Sequence, residues 1–201
     1  MRVANFFEED YDNIHIVPAE NLEWCVDQQR AIDQFSEAHR AEIGWTDAYA
    51  LKPVPVSFAS RRIRGADLHA AISAELTPFD QVTYEHRIVC EPSHTSAYGP
   101  DPSVVLFAEH DDDLVRELWA ILQPDEPSQI DAVIPGLEKL TAWDLILVDW
   151  GWSRVIPLTD VPQLRSYLQN RLTVFTAPPE QPIKRQRSWS ERIKSWFNLN
   201  D

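Results

Sequence analysis

The stretch from Asp144 to Leu158 constrains this chain more than any other. Leu145 to Val148 is an unbroken apolar run, and Val155, Ile156 and Leu158 form a second one. Between them lie Asp149, Trp150, Gly151, Trp152 and Ser153. A short apolar run bounded by turn residues predicts a strand buried on both faces. The pair predicts a β-hairpin, with Gly151 supplying a positive φ at the turn. Pro157 is expected to end the second strand or hold it at an edge.

The rest of the chain is read outward from that hairpin. His15 to Val17 reads as a short strand ended by Pro18. A long helix is expected from about Ala19 to Ile43, with Leu22, Val26, Ile32, Phe35 and Ile43 on its apolar face and Gly44 as its stop. Residues 45–64 read as irregular, with Val54, Val56 and Phe58 alternating like a short strand. A second helix spans Asp67 to Leu76 and is closed by Pro78. Val82, Tyr84, His86, Ile88 and Cys90 alternate as one half-buried strand. Pro92 to Pro102 reads as a loop and Val104 to Ala108 as a strand. Asp113 to Leu122 reads as a helix, because Leu114, Leu118 and Ile121 repeat at helical spacing. Asp111, Asp112 and Asp113 would then favour the positive end of its dipole. Ser128 is expected to cap a further helix reaching Leu140, interrupted at Pro135 and Gly136. Thr159 or Asp160 caps a last helix through Leu172, and Val174 and Phe175 suggest a final short strand. The expected class is α+β, helices packed on a mostly antiparallel sheet, with a C-terminal amphipathic helical tail.

A length of 201 residues suits one domain with a true core, here residues 1–175. A Pro-rich linker follows at 176–187, then a short basic amphipathic helix at 188–201. Its opening, Ser188 to Glu191, has the form of a capping box. Trp189, Ile193, Trp196 and Phe197 share one face of it.

Net charge is −14, unevenly spread. In residues 178–201 Lys184, Arg185, Arg187, Arg192 and Lys194 outnumber Glu180, Glu191 and Asp201, which leaves −16 on residues 1–177. An acidic body excludes the basic footprint that nucleic-acid binding needs. No apolar leader and no run near the length of a membrane span is visible, so the expected location is cytoplasmic and membrane association is not expected. Two cysteines, Cys25 and Cys90, suggest free buried thiols rather than a disulfide framework.

Nucleophile-elbow, phosphate-loop, dinucleotide and zinc-helix motifs are absent from the sequence. His39 and Glu42 share a helical face but lack further ligands, and Asp111 to Asp113 lack the alternating oxygens of a calcium loop. No metal or cofactor is therefore expected. Asp149 beside Trp150 and Trp152 is the residue set best suited to a binding hot spot.

The segment from Asp144 to Leu172, a buried strand ending in Asp149 and Trp150, a turn, a strand ending Ile156 to Leu158 and a capped helix bearing Tyr167 and Leu168, resembles the C-terminal part of small bacterial immunity proteins. These neutralise the toxin domains of contact-dependent and secreted polymorphic systems. The resemblance implies a non-enzymatic acidic protein that binds a cognate toxin; Asp111, Asp112, Asp113, Asp149, Trp150 and Trp152 are the expected contact residues. The toxin is expected to carry a basic surface. The basic tail departs from the family's compact pattern and could support a homodimer. The rival expectation is a hydrolase assembled from scattered groups, with His86, His110 and Glu109 meeting in a deep pocket.

A tail of three turns is too short to be a stable helix alone in water. Docked onto an acidic body, within the chain or in a dimer, it would bury large apolar side chains. Truncation after Ala177 is then expected to lower the melting temperature or change the mass in solution. An unchanged melt and mass with lost liposome binding would point to a membrane instead.

Overall fold

A computed structural model describes residues 1–176, except Asp12, Glu42, Ile43, Trp45 and Ala48, with the backbone alone for Glu9 and Tyr11. The expected tail helix at 188–201 and its linker from Ala177 onward lie outside the described residues. The elements run β1 (Val3–Phe6), α1 (Glu8–Tyr11), β2 (Ile14–Pro18), α2 (Leu22–Ala38), α3 (Gly65–Ile72), β3 (Gln81–Tyr84), β4 (Ile88–Val89) and β5 (Thr95–Asp101). Then come β6 (Val104–Asp111), β7 (Leu114–Leu122), α4 (Pro127–Lys139), β8 (Leu145–Asp149), β9 (Arg154–Pro157) and α5 (Val161–Thr176). The class is α+β, as expected.

A six-stranded sheet of order β5-β6-β7-β2-β8-β9, antiparallel throughout, forms the centre. One face packs on α3, α4 and α5 through Leu68, Ile72, Ile130, Val133, Leu164 and Leu168. The opposite face is covered in two parts. Over β5, β6 and β7 lies a small sheet of order β1-β3-β4, whose Ala4 and Val82 meet Ala97, Phe107 and Trp119. Over β2 and β8 lies α2, whose Cys25 and Ile32 meet Val17, Ile146 and Val148. β8 is thus buried on both faces, as its apolar run predicts, and pairs with β9 in the expected hairpin.

Several elements differ from the sequence reading. The stretch 114–122 is strand β7 and not a helix. Its end, Leu118 to Leu122, is buried on both faces, so its apolar residues lose the two-residue period of a half-covered strand, and their spacing imitates a helix. Asp111 to Asp113 therefore form the tip of the β6–β7 hairpin, with Asp112 in a left-handed conformation (φ 54°), rather than a helix start. The region around Tyr98 is strand β5, not loop. The expected strand from Val82 to Cys90 is a tight hairpin, turned at Glu85 and His86, both with positive φ. Val174 and Phe175 belong to α5. The positive φ of the β8–β9 turn falls on Ser153 (φ 51°), not on Gly151.

The long N-terminal helix is shorter than expected, α2 ending at Ala38 where His39 N–H donates to the Phe35 carbonyl. Its inward line is Cys25, Gln28, Gln29 and Ile32, while Leu22 is exposed. Asp160 caps α5 as expected, its carboxylate accepting from Gln163 N–H at 3.0 Å. The cap of α4 is Glu126 rather than Ser128, joined reciprocally with Gln129.

α4 continues through Pro135 and Gly136 without a break. At Gly136 a Cβ would come within 2.4 Å of Leu76, which is itself in the core. The helix therefore needs glycine where it crosses the segment after α3. Gly136→Ala should lower the melting temperature. Overpacking costs about 1–3 kcal/mol and outweighs the roughly 1 kcal/mol gained in helix propensity. Thermal unfolding of the variant measures the balance.

Candidate functional site

The six residues singled out from sequence separate into two groups at opposite ends of the sheet. Strand registers define those ends. Asp111 pairs with Leu114 at one end of β6–β7, and Val104 pairs with Leu122 at the other. Ile14 pairs with Asp149, and Arg171 bridges Asp149 to Leu122, so Asp149 belongs to the Leu122 end.

At that end Asp149 and Trp150 are buried. This corrects their expected role as contact residues, because neither side chain reaches the surface. Strand alternation explains the pair: Asp149 points under α5 and Trp150 points toward α2. Asp149 Oδ2 accepts from Tyr167 O–H at 2.7 Å and from the Arg171 guanidinium at 2.6 Å. Its Oδ1 accepts from the Trp152 backbone N–H at 2.9 Å. Arg171 also donates to the Leu122 carbonyl and lies 4.8 Å from the Trp152 ring centre. Burial, followed by the negative charge of Asp149, pushes the Tyr167 phenol well above its usual range. Tyr167 therefore stays protonated and can donate. Trp152 is half-buried, packed edge-on to Tyr167. This cluster is an internal lock whose polar groups are matched to one another.

Asp111, Asp112 and Asp113 are exposed at the other end. Asp111 pairs with Arg116, and Asp113 with Arg64 at 2.7 Å. Glu109 and Glu117 face each other across β6 and β7 just behind the tip. Burial, and then the Glu117 charge, raise the Glu109 carboxyl above its ordinary range. The hairpin thus gathers five carboxylates at one corner of the molecule, against two neighbouring arginines.

The rival pocket does not assemble. Glu109 lies beside Cys90 on the small-sheet side of β6. His110 points to the α3 side, where it meets Ser96 and Gly65. His86 sits in the β3–β4 turn against Asn5. A shallow, open depression of about 660 Å³ lies elsewhere, lined by Pro100, Asp101, Pro102 and the start of α4. Its Asp101 is already bonded to Ser103 and Gln129. Cys25 is buried, and burial pushes its thiol up to about 12, so it is not a thiolate near neutral pH. Among the described residues, no group of three or more His, Cys, Asp or Glu is arranged to hold a metal. Among the same residues no helix is long and apolar enough to cross a membrane.

Sequence reading found Asp149 but missed its partners. Tyr167 and Arg171 lie four apart on α5, and that spacing was the available signal; only the packing of α5 over β8 shows what they face. No family model, curated protein or solved structure matches this chain.

Removing one member of a buried ion pair strands the other charge. Arg171→Met alone should therefore cost about 3–5 kcal/mol in urea unfolding, whereas Arg171→Met combined with Asp149→Leu should cost less than the sum of the two single changes. Strict additivity would show that the two groups are not coupled.

Proposed function

We propose that this chain is a non-enzymatic, immunity-type protein that binds and neutralises a cognate toxin domain in the bacterial cytoplasm. The observation that carries the reading is the β6–β7 hairpin tip. It presents Asp111, Asp112 and Asp113 to solvent, with Glu109 and Glu117 behind them. Such a corner creates a local negative field that steers a basic surface into contact. The hairpin is backed by the central sheet, so it meets a partner already ordered and loses little conformational freedom on binding. The acidic balance of residues 1–177 extends the same field. The resemblance of residues 144–172 to immunity proteins agrees with this reading. The buried Asp149 lock then holds the scaffold, and contact is left to the hairpin and to the partly exposed Trp152.

The test is to identify a large toxin gene beside this protein's own and to co-express its C-terminal domain with this chain. Survival of the cells is the expected result, and undiminished killing overturns the reading. Replacing Asp111, Asp112 and Asp113 together by Asn should leave the melting temperature nearly unchanged and slow association about tenfold at low ionic strength, with the difference shrinking in salt.

A further inference from the structure

The small sheet ends in an open edge beside the carboxylates. Its strand order is β1-β3-β4, so among the described residues β4 has no strand on its outer side. Arg2, just before β1, donates to the Gly99 and Pro100 carbonyls, next to the Asp101–Val104 pair. Cys90, just after β4, lies beside Glu109 instead. β4 is therefore the strand of the small sheet nearest the Asp111 end, and its outer edge looks along β6 and β7 toward the hairpin tip. Between edge and tip, the same face of the large sheet carries Glu109 and, directly opposite it, Glu117.

The backbone of that edge is turned outward. Val89 pairs with Thr83, and the next residue, Cys90, donates its N–H to the Val82 carbonyl. Antiparallel alternation then turns the Val89 N–H and C=O away from β3. Ile88 and Val89 are each 59% exposed, more than any other large apolar side chain described except Met1. Edge strands are usually guarded by charge, and β4 carries none.

We propose that β4 is a docking edge, to which an extended basic segment of a partner protein adds as a further strand above Glu109 and Glu117. This rests on the binding reading given above and assigns that partner its chemistry. Main-chain bonds supply the attachment, and side-chain alternation supplies the selection. A partner residue opposite Val89 puts its side chain on the outer face with Val89. Its two neighbours point to the face of Ile88 and Cys90, toward the large sheet and its two glutamates. The recognised pattern is basic, apolar, basic over three successive residues. Burial and the Glu117 charge hold the Glu109 carboxyl above its ordinary range, and a cation placed there relieves that repulsion. Arg116, the nearby arginine on β7, is held by Asp111. A second copy of this chain, at −14, is repelled from the same edge.

The probes are three capped peptides, Lys-Val-Lys-Val-Lys, Glu-Val-Glu-Val-Glu and Lys-Pro-Lys-Pro-Lys, each added to the full chain. The first is expected to slow hydrogen exchange at the Val89 amide. The second lacks the charge and the third lacks the N–H donors, so neither should. Val89→Pro removes the outward N–H and keeps the bonds to β3, and it should abolish binding of the first peptide. Glu109→Gln with Glu117→Gln should weaken that binding about tenfold at low ionic strength. No slowing, equal slowing by all three peptides, or unchanged binding in Val89→Pro overturns the proposal. If Val89→Pro does not fold, the double Gln variant decides, and unchanged binding there overturns it. Co-expression separates this surface from the reading beneath it. Survival with the unaltered chain and killing with Val89→Pro is the expected result. Survival with both overturns the docking edge and leaves the immunity reading standing, whereas killing with both overturns that reading.

Discussion

Asp149 is a carboxylate closed inside the protein between the central sheet and α5. A buried charge is tolerable only when its lone pairs are occupied and a counter-charge is near. Arg171, Tyr167 and the Trp152 backbone meet that demand from different parts of the chain. The demand runs both ways, since Arg171 would itself be stranded without Asp149. The position of α5 over β8, the path of the β8–β9 turn and the end of β7 at Leu122 are therefore fixed together. An apolar contact could slide by one residue at modest cost. This one cannot, because a one-residue slip of β8 would turn Asp149 to the α2 side, away from Arg171.

The two ends of the sheet handle charge in contrasting ways. At the Asp149 end, opposite charges are buried and paired. At the Asp111 end, like charges gather, and exposure to water keeps them tolerable. Glu109 and Glu117 stand opposite each other on neighbouring strands, an arrangement that opposes pairing. On the proposed reading, that placement adds to the negative field a basic partner would meet. The hairpin can carry the load because β6 and β7 are held on both faces by the large core and by the Phe107–Trp119 stack, whose rings are 4.0 Å apart. Strand alternation gives the two faces of β6 different surroundings at this corner, Glu109 beside Cys90 on the small-sheet side and His110 against Ser96 on the α3 side.

The sequence by itself determined what depends on local pattern: the α+β class, the β8–β9 hairpin, strand β2 ending at Pro18, the start of α5 at Thr159 or Asp160, and the acidic balance of residues 1–177. Each rests on residues close together in the chain, whose apolar period or turn chemistry has one local solution. Tertiary structure decided the rest. Leu114 to Leu122 satisfies both a helical period and a doubly buried strand, and only pairing with β6 and β2 chooses between them. That choice turned Asp111 to Asp113 from a helix start into an exposed hairpin tip. It was likewise the packing of α5 on β8 that took Asp149 from a surface candidate to an internal lock. The side a carboxylate faces, and what meets it there, depends on segments distant in sequence, and no local pattern carries that information.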